Sequence, residues 1–211
     1  MKIKLFAGMM PIKMTPPKLK RVLSILCSRL SEKRVPHAII GAMALALYGM
    51  PRFTADIDLL LDELHRKSVL DLMKRLGYDC FQDAGNFAQF DSTLGVYGRV
   101  DFMFVNTDEG RAILERAVDI NGELIGAVSV IQPTDYAVLK LMAIANNPDR
   151  RIHDMADLEL LFRSVAAGFL APSFQPIDID QLQKFADRFH VPEQLASLLP
   201  LIAMGKGKTD G

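Results

Sequence analysis

The sequence has no excess of charge of either sign. It contains 25 basic and 25 acidic residues, and its formal net charge is zero at neutral pH. Proteins that bind nucleic acids or membrane surfaces through broad electrostatic attraction carry a surplus of positive charge. The balance therefore excludes a globally basic binding surface, and any site for a polyanion has to be local.

Cysteine is scarce, with only two residues in the chain. Cys27 and Cys80 lie in apolar surroundings, and their spacing fits neither a CxxC pair nor a set of metal ligands. We predict two buried free thiols in a reducing compartment rather than a disulfide.

Long apolar runs are also missing. No stretch reaches the roughly 18–20 residues that a membrane-spanning helix needs. The first residues are interrupted by Lys and Pro, unlike a secretory signal. Half of the residues are hydrophobic, which is enough to bury a core at this length. These features predict a cytoplasmic protein of one domain, or of one domain with a helical extension.

The most informative stretch is residues 38–62, AIIGAMALALYGMPRFTADIDLLLD. Near its end Asp56 and Asp58 are two positions apart, so on a β-strand both carboxylates point to the same face. The apolar residues around them predict that this strand is anchored in a core. Two like charges this close repel each other unless a cation or a proton lies between them. We therefore predict a divalent metal ion at this pair.

A third carboxylate, Asp101, lies in the predicted strand RVDFMFVN at residues 99–106. Its apolar neighbours alternate with it, so Asp101 points to the opposite face from them. Aspartate is poorly suited to strands and costly to bury. A Lys or Arg could pair with it, but beside Asp56 and Asp58 a third metal-facing carboxylate is the better interpretation.

A strand that ends at Gly41 is predicted to pass directly into an alanine-rich helix. Such a connection brings backbone N–H groups and the positive end of the helix dipole to one place, which suits a phosphate group. A tight turn that only needs a small residue explains Gly41-Ala42 at least as well. Tyr48, at the end of this helix, is predicted to pack in the core, with nucleotide stacking as the alternative.

Hydrophobic periodicity predicts most of the helices. The first follows Pro16-Pro17, and its apolar stripe comprises Leu19, Val22, Leu23, Ile25, Leu26 and Leu30. A second amphipathic helix ends near Gly77. Further helices are predicted at residues 108–117, 133–146 and 149–165 and again from about residue 176, before a loose tail. Asp178 and Asp180 repeat the spacing of the metal pair, but they precede a helix and are interpreted as its cap and first-turn charges.

Short strands fill the intervals between these helices. They are predicted at residues 37–41, 78–81 and 88–92, with a turn at residues 83–86. An Asn121-Gly122 turn joins two further strands as a hairpin. Residues 1–15 are predicted as an arm or an edge strand.

Charged residues cluster on a predicted helix between Arg150 and Asp157. Arg150 and Asp154 are four positions apart, as are His153 and Asp157, so salt bridges within the helix are expected. A place in the wall of an active site, for Arg151 as well, is an equally good interpretation.

These motifs resemble the DNA polymerase β-like nucleotidyltransferase superfamily. They are most similar to the bacterial nucleotidyltransferases that include the toxin halves of abortive-infection toxin–antitoxin systems. The resemblance covers about residues 36–160 and rests on Gly41-Ala42, the Arg-x-Thr-x-Asp-x-Asp element of Arg52, Thr54, Asp56 and Asp58, then Asp101, Lys140, Arg151, Asp154 and Asp157. Ala42 departs from the family pattern, which has Ser or Gly there, and removes a hydroxyl that could contact a phosphate.

The resemblance implies an α/β (α+β) fold. Residues 1–131 would form a polymerase β-like core, with a mixed sheet flanked by helices. Residues 132–211 would form a C-terminal helical region packed on that core.

The resemblance also implies transfer of a nucleoside monophosphate from an NTP to an acceptor hydroxyl, with two Mg²⁺ ions. Asp56 and Asp58 would bridge the metal ions. Asp101 would hold the acceptor-side ion and help to take the hydroxyl proton. Gly41-Ala42 would face the β- and γ-phosphates, and Lys140 would contact the triphosphate or an acceptor phosphate.

Several alternatives stay open. Arg52 and Thr54 could contact phosphate or support the acidic strand. The acceptor could be the end of an RNA or tRNA, a protein side chain or a small molecule such as an aminoglycoside. A non-catalytic nucleotide-binding or regulatory protein of the same fold is the alternative function. A toxin-type member would be expected to have an antitoxin protein as its partner.

Overall fold

The computed structural model describes residues 17–50, 52–94, 97–122 and 125–203. The helices are α1 (Pro17–Glu32), α2 (Gly41–Leu47), α3 (Arg66–Arg75), α4 (Asp108–Glu115), α5 (Pro133–Asn146), α6 (Arg151–Ala166), α7 (Ile179–Arg188) and α8 (Pro192–Ala203). The strands are β1 (His37–Ile39), β2 (Asp56–Asp62), β3 (Tyr78–Ala84), β4 (Phe87–Ser92), β5 (Arg99–Val105), β6 (Val118–Gly122) and β7 (Gly126–Val130). The predicted N-terminal arm and the C-terminal tail lie outside the described residues.

The seven described strands form one mixed sheet in the order β3-β4-β5-β2-β1-β7-β6. The pairs β2–β5 and β1–β7 are parallel, and the other neighbours are antiparallel. Parallel neighbours need a crossover, and between β2 and β5 the chain passes through α3 and the β3–β4 hairpin. The two acidic strands predicted from the sequence are therefore direct neighbours at the centre of the sheet.

The apolar stripe of α1 lies against the sheet, where Leu19, Leu23, Leu26 and Leu30 are each at most 2% exposed. Ile25 was expected in the stripe but is 43% exposed. Successive helix positions differ by about 100°, and Ile25 lies just beyond the sector that contacts the sheet. Cys27 is buried as predicted, and burial raises the pKa of its thiol to about 12.

Three local predictions need correction. Cys80 is free but exposed, because β3 forms one edge of the sheet. β3 also continues through Asp83 and Ala84, which the sequence placed in a turn. The hairpin of β6 and β7 is confirmed, but Asn121 and Gly122 pair with β7 as the last residues of β6 instead of forming the turn themselves.

The described chain divides into two compact units. The first contains the residues up to Leu47 and residues 52–131, with the whole sheet and helices α1–α4. The second contains residues 48–50 and the chain from Gln132 onward, with helices α5–α8.

The second unit has an aromatic centre. The ring of Tyr48 is fully buried, 5.9 Å from the ring of Tyr136 and 4.7 Å from that of Phe174, both in edge-to-face geometry. The carbonyl of Tyr48 accepts a hydrogen bond from the backbone N–H of Ala171 at 3.0 Å. The prediction that Tyr48 belongs to a core is confirmed. In the same unit Asp178 caps α7 as predicted, and its side chain accepts from the backbone N–H of Gln181.

None of the helices in the described ranges combines the length and the apolar character that crossing a lipid bilayer requires.

Candidate active site

Three carboxylates share one face of the paired strands β2 and β5. Asp58 is in register with Asp101, and Asp56 is in register with Arg99. Register partners on neighbouring strands project to the same face, about 4.8 Å apart along the hydrogen-bonding direction. Asp56, Asp58 and Asp101 are half-buried, whereas the intervening residues on each strand point into the core. The sheet thus brings together the three aspartates that the sequence singled out.

Asp101 has an asymmetric environment. Its Oδ2 accepts a hydrogen bond from Nε2 of Gln89 at 3.0 Å, while its Oδ1 is buried and receives no hydrogen bond from the described residues. Burial raises the pKa of the Asp101 carboxyl above its usual range, the Gln89 hydrogen bond opposes this shift, and the charge of Asp56 adds to it. A buried carboxylate oxygen without a partner is costly, and a cation would remove that cost.

The strand-to-helix connection at Gly41 lies directly behind Asp58. Gly41 has φ +62°, and a Cβ at this position would lie only 2.7 Å from Cγ of Asp58. The backbone N–H of Ile40 donates to the carbonyl of Asp58 at 3.0 Å. Only glycine allows the start of α2 to approach the carboxylate this closely. Ala42 is buried, so its backbone rather than its methyl group is what the helix start can offer to a ligand.

Thr54 supports the acidic strand. Its hydroxyl accepts from the backbone N–H of Asp56 at 3.2 Å and lies 3.1 Å from the carbonyl oxygen of the same residue. Both contacts are local, and they fix the backbone where β2 begins. Arg52 is half-buried in the segment that leads into β2.

Lys140 occupies a different environment in the second unit. Its Nζ lies 2.6 Å from Oδ1 of Asp154 and 2.8 Å from Oδ2 of Asp157, and all three side chains are largely buried. Arg150 reaches Asp154 at 3.7 Å, so this expected pair forms at long range. Asp157 is held by Lys140, while His153 and Arg151 are exposed.

No three acidic, histidine or cysteine side chains within the described ranges converge closely enough to hold a metal ion. The donor set nonetheless fits one. Aspartate oxygens are the ligands that Mg²⁺ prefers, and Asp101 Oδ1 has no other partner among the described residues.

A comparison that covers most of the sequence identifies the family to which this chain belongs. The sequence pattern described as "Nucleotidyl transferase AbiEii toxin, Type IV TA system" matches residues 24–204, which is most of the 211-residue chain. The chain belongs to the AbiEii family. It is therefore a nucleotidyltransferase, and the resemblance predicted from the motifs is confirmed. No curated protein sequence matches this AbiEii-family chain significantly.

Solved structures agree on the fold. The antibiotic-resistance factor ANT(2'')-Ia has 13% identity and a TM-score of 0.56, with 85% of this chain and 94% of that chain covered. An antigenic nucleotidyltransferase-like protein from Paracoccidioides brasiliensis has 19% identity and a TM-score of 0.52, with 87% and 93% covered. At these identities the similarity concerns the fold alone, and it confirms the predicted mixed sheet flanked by helices.

Gln89 is the residue of this region that the motifs missed. It lies on β4 opposite Asp101 and belongs to no acidic pattern. The only signal in the sequence was a polar residue alternating with apolar ones in a short strand.

Proposed function

We propose that this protein transfers a nucleoside monophosphate from an NTP to an acceptor hydroxyl in an Mg²⁺-dependent reaction. The observation that supports this proposal best is the placement of Asp56, Asp58 and Asp101 on one face of two parallel strands. Gly41, backed against Asp58, adds a close approach of backbone that a nucleotide site would use.

In this proposal Asp56 and Asp58 would hold the Mg²⁺ ions, and Asp101 would be a further ligand on the acceptor side. When bound, the ions would neutralise phosphate charge and stabilise the entering and leaving oxygens of an in-line displacement. The three aspartates would fix the position of that charge, and the buried neighbours Ile57 and Val100 would keep the two strands rigid beneath it.

Asp101 also takes the proton of the acceptor hydroxyl. The acceptor oxygen forms a bond to the α-phosphorus of the NTP, and the bond from that phosphorus to the β-phosphate oxygen breaks. Pyrophosphate leaves with the bonding electrons, and the proton passes from the acceptor to Asp101 and then to solvent.

The phosphates of the NTP would meet backbone and basic groups. The first N–H groups of α2, at Gly41 and Ala42, have no acceptor within their own helix and would face the β- and γ-phosphates. Arg52 would contribute charge, and Thr54 would act by holding the backbone of Asp56.

Lys140 would contact a phosphate of the NTP or of the acceptor through one N–H. An ammonium group has three donors, and Asp154 and Asp157 engage two of them. The two carboxylates would then serve to fix the direction of the third.

The family description also supports a toxin role with an antitoxin protein as partner. The acceptor class follows from the experiment below.

A label-transfer assay tests the proposal. Each α-labelled NTP is incubated with the protein, Mg²⁺ and separate pools of total RNA, cell protein and aminoglycosides. Parallel reactions contain EDTA or the isosteric variant Asp58→Asn. We expect one NTP to label one pool, with the label lost in both controls.

Label that persists in the Asp58→Asn variant would contradict the metal assignment. An Mg²⁺-dependent rise in melting temperature with one NTP, but no transfer to any pool, would favour a nucleotide-binding or regulatory protein of this fold. If there is neither label transfer nor a rise in melting temperature with any NTP, the proposal is overturned.

A further inference from the structure

The pairing of β4 with β5 places Gln89 on the face of the sheet that carries Asp56, Asp58 and Asp101. The register places Gln89 opposite Asp101, and its neighbours Ala88 and Phe90 are buried on the other face. Because side chains alternate along a strand, Gln89 shares the face of the three aspartates. Its Nε2 lies 3.0 Å from Asp101 Oδ2.

This hydrogen bond distinguishes the two oxygens of Asp101. The terminal torsion of an aspartate is broad and roughly two-fold, so a carboxylate without a partner samples many orientations. Gln89 holds Oδ2 from the β4 side, while β2, which carries Asp58, lies on the other side of β5. The second oxygen, Oδ1, stays buried and without a hydrogen bond from the described residues.

The chemical type of the partner matters as much as its position. A Lys or Arg in place of Gln89 would form an ion pair with Asp101 and compete with any cation for the same charge. A Glu would repel it. A neutral amide orients the carboxylate and leaves its negative charge available.

We propose that Gln89 is a positioning residue for nucleotidyl transfer. It holds Asp101 through Oδ2 and thereby fixes the orientation of the carboxylate that would hold the metal ion. The inference rests on the proposed function of Asp101 and names a residue that acts on it. Partners that orient a metal ligand in this way are typically worth 10- to 100-fold in affinity or activity.

The simpler explanation is that Gln89 only satisfies a buried carboxylate. That role predicts a lower stability of the folded protein with unchanged kinetics. Two readouts separate the explanations: Mn²⁺ binding to the free protein, measured by electron paramagnetic resonance, and the division of any kinetic effect between kcat and the KM for NTP.

The test uses Gln89→Met, which keeps the length of the side chain and removes the donor. The matched control is Gln82→Met, because Gln82 pairs with Gln89 on the neighbouring strand β3 and makes no side-chain hydrogen bond to Asp101. Gln89→Asn keeps an amide but shortens its reach, and it provides a second variant if Gln89→Met does not fold. Melting temperatures in EDTA establish that each variant is folded.

We expect Gln89→Met to weaken Mn²⁺ binding and to lower kcat by about tenfold each, with the KM for NTP changed less than twofold. Gln89→Asn should fall between wild type and Gln89→Met, and Gln82→Met should match wild type. If Gln89→Met lowers only the melting temperature, Gln89 is structural and the proposal is wrong. If Asp101→Asn itself keeps full Mn²⁺ affinity and transfer, the role of Asp101 fails and the inference fails with it.

The binding measurement also separates this inference from the proposed function. If no acceptor is labelled by wild type, Mn²⁺ affinity still reports on the pair. A loss in both Asp101→Asn and Gln89→Met would support the positioning role without any transfer assay.

Discussion

Asp101 is half-buried and Asp154 is fully buried, and the two carboxylates have partners of different kinds. Each has one oxygen that is buried and receives no hydrogen bond from the described part of the chain. The other oxygen of Asp154 meets the ammonium of Lys140 at 2.6 Å, whereas that of Asp101 meets the neutral amide of Gln89 at 3.0 Å. At Asp154 the chain itself supplies a cation, the ammonium group of Lys140. At Asp101 the hydrogen-bond partner in the chain is a neutral amide, which orients the carboxylate without neutralising its charge.

This difference shows what an acidic spacing can and cannot indicate. The pair Asp154/Asp157 on a helix and the pair Asp56/Asp58 on a strand both place two carboxylates on one face. Only the partner from another element decides whether the pair is a structural ion cluster or a candidate metal site.

The largest effect is expected when one carboxylate is removed from the face that carries Asp56, Asp58 and Asp101. Asp58→Asn should lower nucleotidyl transfer by on the order of 10³-fold, equivalent to about 4 kcal/mol in activation free energy. The fold should be retained, because the variant relieves repulsion between like charges. Initial rates of label transfer and circular dichroism measure the two effects, and a variant with near wild-type rates would contradict the assignment.

Removal of the internal cation Lys140 should lower the stability of the fold, which the Asp58 variant retains. Lys140→Met leaves Asp154 and Asp157 buried without their ammonium, and we expect the free energy of unfolding to fall by about 3–5 kcal/mol. Urea denaturation followed by circular dichroism measures it. Lys184→Met, at an exposed position of α7, is the matched control and should change stability little.

A compensating variant sharpens this test. Lys140→Met combined with Asp154→Asn and Asp157→Asn should recover much of the lost stability, because no buried charge is then uncompensated. A triple variant as unstable as Lys140→Met would show that packing, not charge, explains the loss.

Substitution of Gly41, which lies behind Asp58, should perturb the site of the three aspartates less than removal of a carboxylate does. Gly41→Ala combines a left-handed backbone with a collision against the Asp58 carboxylate. Gly85→Ala has a similar backbone conformation, φ +55°, but opens into empty space. Gly85→Ala should lose about 1–2 kcal/mol of stability from its backbone conformation, and Gly41→Ala should lose more because of the collision.

Only Gly41→Ala should also displace Asp58 and lower transfer by on the order of 10²-fold. Comparison of initial rates for the two variants, at equal fractions of folded protein, isolates the collision. Equal activities would mean that the close approach at Gly41 has no role in the reaction.

The smallest effect concerns the pH dependence of stability in EDTA. Burial raises the pKa of Asp101 in the folded protein, so the unfolded chain loses this proton at lower pH than the folded protein does. The contribution of the protonated Asp101 carboxyl to the free energy of unfolding is therefore complete below the unfolded pKa of about 3.9. This contribution is lost as pH rises through the folded pKa.

Asp101→Asn removes this loss. Without metal, the variant should melt at a higher temperature than wild type at pH 7, and the two should converge near pH 4. Differential scanning calorimetry across this range measures the difference. A variant that melts lower than wild type at every pH would show that the Asp101 charge is already compensated within the protein.

Much of the fold could be predicted because its signals are local. The alternating residues of β5, the apolar run of β2 and the stripe of α1 each identify an element by its period. The same periods place Asp56, Asp58 and Asp101 on polar faces.

The remaining features depend on pairing across the sheet. Gln89 becomes relevant only through its register with Asp101, which no local pattern encodes. The position of the β6–β7 turn and the exposure of Cys80 likewise follow from which strand lies at an edge. The motif resemblance singles out Lys140, but its pairing with two carboxylates of another helix follows only from the packing of α5 against α6.

Tyr48 has a consequence for any attempt to separate the protein into parts. Its ring is buried with Tyr136 and Phe174, although the chain on both sides of residues 48–50 belongs to the first unit. Cleavage of the peptide bond between Ile131 and Gln132 would leave this ring on the N-terminal fragment and its aromatic partners on the C-terminal one. After this cleavage the aromatic core of the second unit would depend on a side chain from the other fragment.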